Sequence, residues 1–267
     1  MLLNFPSHPD IKRIVVLNPK GGSGKSTLAT NLAGFLTSRG HPAALMDFDP
    51  QGSATRWLHN RPVDRPVIHG IAAFEKDQSA TRSFRLQIPP HIRHLIVDTP
   101  AALPKREIVE FTSGAHAILV PVLPSDIDIH AASRLVADML IVAKVSRRMG
   151  RLGVVANRVR DNTLGYRKLK RFLDRLSIAV TGELRDSQNY VHAADSGLSI
   201  HEMQPSRVAK DRQSWVSISE WLEDRLGTAL TPRDLYRPES APRPTRTKVE
   251  VRPTGGALSS SAVHRNG

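Results

Sequence analysis

The sequence predicts a single α/β domain in which a mainly parallel, twisted sheet is flanked by helices. Three observations lead there. Short aliphatic runs bounded by turn residues alternate with stretches of helical periodicity, a pattern that implies parallel strands joined by right-handed crossovers. The polar residues with chemical potential fall at the carboxyl ends of those runs, where open α/β sheets bind ligands. The chain has 267 residues, 40% of them hydrophobic, enough for one large core.

The first run, residues 11–18, reads as a buried strand that ends at a Gly-rich turn. In residues 26–39, Leu28, Ala29, Leu32, Ala33 and Leu36 recur at helical spacing, and Gly40 and Pro42 stop the helix. Further strands are expected at residues 43–47, 94–98, 115–121 and 152–157, with a helix over residues 127–147. Residues 1–231 are expected to form the folded domain. From Pro232 onward the chain is rich in proline, with a Gly-Gly pair, a Ser-Ser-Ser run and seven basic against three acidic residues. Residues 232–267 are therefore expected to be a disordered basic tail.

Composition narrows the chemistry. Thirty-eight basic residues against 25 acidic ones give a net charge of +13, which favours a polyanionic partner. The absence of cysteine removes disulfides, thiolate metal sites, iron–sulfur clusters and Cys nucleophiles. Aromatic residues make up only 5%, too few for platforms on which bases stack. No apolar run approaches the roughly 18 residues of a membrane span, and residues 1–10 lack the pattern of a secretion signal, so a cytoplasmic protein is expected.

The most informative segment is Lys20-Gly-Gly-Ser-Gly-Lys-Ser-Thr27, between the first strand and the first helix. Glycines here let backbone N–H groups cradle phosphate oxygens at a helix N-terminus. Gly21, Gly22, Ser23, Gly24 and Thr27 would form the cradle, Lys25 would reach the β- and γ-phosphates, and the Ser26 hydroxyl would ligate Mg²⁺. Lys20 stands where the usual pattern has its first glycine.

That substitution makes the loop resemble the signature K-G-G-x-G-K-[ST] of the ParA/MinD family of Walker-type ATPases. The resemblance implies ATP and Mg²⁺ as ligands, and a Lys20 that reaches across a nucleotide-sandwiched dimer to the partner subunit's nucleotide. Asp47-Phe-Asp49-Pro-Gln-Gly52 resembles the family's D-x-D-P-Q-G segment, which implies that Asp49 orients the attacking water, with Asp47 nearer the metal and the loop lysines. Leu95-Ile-Val-Asp98-Thr-Pro resembles a Walker B strand, with Asp98 holding a Mg²⁺-bound water and the residues after it sensing the γ-phosphate. Val154-Val-Ala-Asn157-Arg158 ends a strand where the family's adenine contact lies, which assigns Asn157 to the base edge. The resemblance runs through roughly residues 11–226 and includes the segment Gly182 to Tyr190 with Ala194, Gly197 and Ser199 to Glu202.

Within the family, relatives that need cysteines are excluded, as are those ending in an amphipathic membrane helix, because residues 257–267 hold too few apolar side chains. The expected type is a small ParA-like, nucleoid-associated ATPase. It dimerises with ATP, binds DNA without sequence preference and hydrolyses ATP when a ParB-like or cargo-adaptor protein stimulates it; no membrane is involved. Its cargo would be a plasmid, a chromosome or a protein organelle. Candidate phosphate contacts on DNA are Arg167, Lys168, Lys170, Arg171 and Arg175, of which Arg167, Arg171 and Arg175 share one helix face, and a second group of Arg207, Lys210 and Arg212. The alternatives are a small-molecule ATP-dependent ligase or synthetase of the same fold, and a DNA-free MinD-like regulatory ATPase.

Overall fold

The computed structural model describes residues 10–74, 87–175 and 178–230; the tail expected at 232–267 lies outside them. Seven strands build one sheet: β1 (Lys12–Val16), β2 (Ala43–Asp47), β3 (His69–Ala72), β4 (His94–Asp98), β5 (Ala117–Val122), β6 (Leu152–Val159) and β7 (Ala179–Arg185). Their order is β3-β2-β4-β1-β5-β6-β7, and every pairing is parallel. The expected fold class is the observed one.

The five strands expected from the sequence are joined by two that it did not reveal. Both are edge strands, whose partial exposure weakens the apolar signal. His69-Gly-Ile-Ala72 is four residues long with one buried position, and only three of the seven residues of β7 are buried.

Between their polar ends the central strands are apolar on both faces because helices cover both. Their residues nevertheless alternate between two cores. Ile14, Val16, Leu45, Ile96 and Leu119 face the core under α1 (Lys25–Ser38), α2 (Ser53–His59) and α8 (Val216–Leu226). Val15, Leu17, Met46, Val97 and Val120 face the core under α3 (Lys105–Thr112), α4 (Asp126–Ile141) and α5 (Leu164–Arg175). Helices α6 (Gln188–Asp195) and α7 (Pro205–Gln213) close the first layer around Ala193, Ile200 and Val208. Among the described residues no helix is long and apolar enough to cross a membrane.

Two details matter for the site. Eleven of the fourteen residues of α1 are buried, so the loop at its start is mounted on a helix that is locked into the core. Truncating a buried leucine there, such as Leu32, would cost about 2–5 kcal/mol. Helix α4, expected over residues 127–147, stops at Ile141 because Lys144 takes a left-handed conformation (φ 51°) and Val145 N–H bonds back to Met139 O at 2.9 Å.

Candidate nucleotide-binding site

Chain direction across the sheet reverses at β1: the strands that follow it in sequence lie first on the β4 side and then on the β5 side. Such a switch point leaves a crevice at the strand ends. Pro121 shows how the crevice opens. Leu17 N–H bonds to Leu119 O, and Ile118 N–H to Arg151 O, so odd-numbered residues of β5 face β1 and even-numbered ones face β6. The missing N–H of Pro121 therefore faces the side where pairing with β1 has already ended, and a proline is tolerated in a central strand. Its carbonyl is satisfied instead by Asn18 Nδ2 at 2.7 Å, while Asn18 Oδ1 accepts from Lys20 N–H at 2.9 Å. Buried Asn18 thus bridges the parting strands and aims the loop. Sequence reasoning did not single it out; an asparagine at a strand end before Pro-Lys-Gly-Gly was the available signal.

The loop then rises into α1. Gly24, its N-cap, has φ 91°, and α1 has neither a capping side chain nor an acidic residue in its first turn. The first N–H groups and the positive end of the helix dipole are left for an anion. Lys25 is buried, with Nζ donating to Lys20 O at 3.2 Å. Burial pushes its pKa down from the ordinary lysine value, and Asp98 and Asp49 draw it back up. A polyphosphate would supply the remaining counter-charge.

Asn157, assigned from the sequence to the base edge, lies beneath this loop. Its Nδ2 donates to Ser23 O at 2.8 Å and its Oδ1 accepts from Arg158 N–H at 3.0 Å. The approach is so close that a Cβ on Gly24 would sit 2.2 Å from Asn157 Nδ2, so only glycine fits there. In this arrangement Asn157 acts as a brace. The break in regular β6 pairing between Ala156 and Val159 gives it this position and turns Arg158 outward with φ 51°.

The carboxylates divide their work. Asp47 and Asp98 are direct neighbours across β2 and β4, both fully buried. The two oxygens of Asp47 are engaged by the chain: Oδ1 accepts from Asp49 N–H at 3.0 Å, and Oδ2 from Thr55 N–H at 2.8 Å and Thr55 Oγ1 at 3.0 Å. Asp47 therefore shapes the Asp-Pro-Gln-Gly turn and the start of α2 while lying beside Asp98. Neither oxygen of Asp98 makes a hydrogen bond of ordinary geometry. Burial raises its pKa to about 7; Ser26 and Lys25 oppose the rise, and Asp47 and Asp49 add to it. An orphaned buried carboxylate beside a hydroxyl is a donor set that suits a hard divalent cation. No group of three or more acidic or histidine side chains that could hold a metal occurs among the described residues. Ser26 and Asp98 are the residues that would hold Mg²⁺ here.

Asp49 is half-buried at the mouth, with Oδ1 accepting from Gln51 N–H at 3.0 Å. It lines one cleft with Gly22, Lys25, Ser26, Pro100 and Arg158. The segment after Asp98 wraps onto the loop through Thr99 Oγ1 to Val16 O (3.0 Å) and Ala102 N–H to Pro19 O (2.7 Å), with Ala102 held at φ 55°. A second cleft runs from Thr27 and Asn157 past Arg158 to Ser187 and Tyr190. Arg158 borders both clefts, a role that the sequence motif around Asn157 does not assign to it.

The basic residues do not form one patch. Arg167, Lys170, Arg171 and Arg175 are exposed on α5, whereas Lys168 is tied to Asp126 at 2.7 Å. Arg207 and Lys210 are exposed on α7, in the opposite layer, and Arg212 is half-buried. Asp211, an apparent acidic interruption of the second group, points inward to Arg185 (3.1 Å), Ser187 (3.2 Å) and Asn189 (2.6 Å).

Comparison with known proteins agrees with this geometry. Residues 14–200 match the CobQ/CobB/MinD/ParA nucleotide binding domain. The "Maintenance of carboxysome distribution protein A" of Halothiobacillus neapolitanus is 28% identical over 193 residues, 71% of this chain and 87% of that protein. Its namesake from Gloeobacter kilaueensis is 28% identical over 226 residues, 82% and 97% of the two chains. The structure of an ATP complex of a Cyanothece McdA variant superposes with a TM-score of 0.57 at 18% identity, covering 80% of this chain and 97% of that one, a likeness of fold. The chain belongs to the CobQ/CobB/MinD/ParA nucleotide-binding family, as an ATPase of the ParA/MinD type.

Proposed function

We propose that this protein is a positioning ATPase. Two copies close over two ATP molecules with Mg²⁺, the closed dimer binds DNA without sequence preference, and an adaptor protein on a cargo stimulates hydrolysis and release. Lys25 holds the phosphates in the cradle of residues 21–27, and Ser26 and Asp98 hold the metal. Asp49 orients the water, and Lys20 completes the partner subunit's site. The base enters the cleft between Thr27 and Tyr190, with Asn157 at its inner edge. Phosphoryl transfer depends on positioning and charge stabilisation, so this set suffices for hydrolysis.

The observation that carries the reading is the placement of Lys20. It opens the phosphate loop, yet its ammonium rests on Asp128 of α4 at 2.5 Å, whereas Lys25 lines the cleft. A second loop lysine whose ammonium is held on α4 supports a use outside its own cleft. The net charge of +13 and the exposed cations on α5 and α7 support DNA as the track, with a location on the nucleoid. Two relatives named for carboxysome distribution favour a protein compartment as the cargo.

The test is binding to random-sequence duplex with ATP and with ADP across a salt series. ATP is expected to tighten binding. The slope of log affinity against log salt should be about −0.9 for each phosphate contacted, twice as steep for a dimer as for one subunit. Equal affinity with both nucleotides would contradict the reading.

A further inference from the structure

We propose that Asp128 is the resting partner of Lys20, a positioning carboxylate that holds the lysine inside its own subunit and sets how readily it crosses to a second copy. The inference rests on the trans role given to Lys20 above.

The pair is asymmetric. The Asp128 side chain is 3% exposed and fixed, whereas that of Lys20 is 33% exposed and can leave. What makes departure feasible is that Asp128 is supported without the lysine. It is the third residue of α4, behind the N-cap Ser125, whose Oγ accepts from Asp128 N–H at 3.2 Å and whose hydroxyl in turn reaches Asp128 Oδ2. A carboxylate in the first turn of a helix faces the positive end of the dipole and the free N–H groups. When Lys20 swings away, Oδ2 keeps the Ser125 hydroxyl and the helix start, while Oδ1 has no hydrogen-bond partner with or without the lysine, which keeps the pull on Lys20 strong. The lysine backbone meanwhile stays anchored by Asn18 Oδ1, so the side chain pivots from a fixed base. Lys168 on α5 belongs to Asp126 at 2.7 Å, so the neighbouring cation is committed to a different carboxylate.

A restraint of this kind makes dimerisation depend on what competes for the ammonium. A nucleotide phosphate on a second copy would have to outcompete Asp128, so the restraint raises the threshold for dimerisation.

The test is a double-mutant cycle on the full-length protein, reading ATP-dependent dimerisation by sedimentation velocity for wild type, Asp128→Asn, Lys20→Ala and the double variant. Selective amine acylation of Lys20, read by mass spectrometry, accompanies it in wild type and Asp128→Asn. Asp128→Asn is expected to tighten the ATP dimer at least about threefold when Lys20 is present and to leave it unchanged when Lys20 is absent. It is also expected to raise acylation of Lys20 severalfold. An equal effect in both backgrounds would show that Asp128 acts through the fold alone and would overturn the proposal, as would weaker dimerisation or unchanged acylation in Asp128→Asn. If Lys20→Ala dimerises like wild type, the trans role itself fails and the restraint has nothing to act on; acylation then still reports whether the pair exists.

Discussion

Helices α1 and α4 begin at the carboxyl ends of the adjacent strands β1 and β5, and they meet their dipoles in opposite ways. Helix α1 starts behind left-handed Gly24, without a capping side chain and without an acidic residue in its first turn. Helix α4 starts behind Ser125, which caps Asp128 N–H, and carries Asp126 and Asp128 in that turn. Carboxylates at a helix start contribute about 0.3–1 kcal/mol each, so α4 completes itself, whereas α1 leaves its N-terminal charge unmet. On the function proposed above the unmet start takes phosphate, and the completed start takes a lysine from the same loop. One loop therefore carries two lysines with different addresses, Lys25 on the cleft and Lys20 on Asp128.

Removing the lysine of the unmet start should have the largest effect. Lys25→Ala deletes a buried cation opposite a polyphosphate, and ATP affinity is expected to fall about 10²–10³-fold by calorimetry. Affinity within a factor of three of wild type would break the comparison at its strong end. Asp49→Ala leaves both helix starts intact. It should bind ATP and dimerise normally while turnover falls about 10²-fold in a single-turnover assay; normal turnover would remove Asp49 from the chemistry.

Asn157→Ala sharpens the picture of how the α1 start is built. As the brace of the loop, its loss leaves the Ser23 carbonyl without its donor, at a cost of about 1–3 kcal/mol. ATP and GTP affinities should then fall together. A collapse of ATP-over-GTP selectivity with little loss of ATP affinity would return Asn157 to reading the base.

The smallest effect concerns Asp98. Its pKa of about 7 in the fold lies above that of an unfolded aspartate, so ionising it costs stability as pH rises from about 4 through 7. Measured without Mg²⁺ or nucleotide, Asp98→Asn should raise Tm modestly at pH 8, with the gain shrinking toward pH 5. A gain independent of pH would mean that the carboxylate is not the group titrating.

Much of this was legible from sequence because the loop is local. Residues 20–27 are contiguous, so the phosphate cradle with Lys25 and Ser26 follows from their spacing, while the role of Lys20 comes from the family resemblance. Strand ends likewise put Asp98 at, and Asp49 two residues beyond, the carboxyl edge where ligands bind, and the family resemblance supplied their roles. What escaped depends on non-local geometry. Asn18 acts on Pro121, and Asp128 lies 108 positions beyond Lys20. Asp211 sits in sequence between Lys210 and Arg212, and only the fold turns it inward toward Arg185. Strands β3 and β7 were missed because edge strands bury too little to write a pattern, and the brace role of Asn157 depends on an irregular step in β6 that no periodicity encodes.

The central claim, that Lys20 serves the partner's nucleotide, is tested most directly by mixing two inactive variants. In a Lys20→Ala/Asp49→Ala heterodimer, the Lys20→Ala subunit supplies Asp49 to its own nucleotide and the Asp49→Ala subunit supplies Lys20 across the interface, so one of the two sites is complete. Each variant alone should be inactive, and an equimolar mixture should recover about a quarter of wild-type turnover with random assortment. If the mixture stays as inactive as its components although heterodimers form, Lys20 acts within its own subunit and the account is wrong.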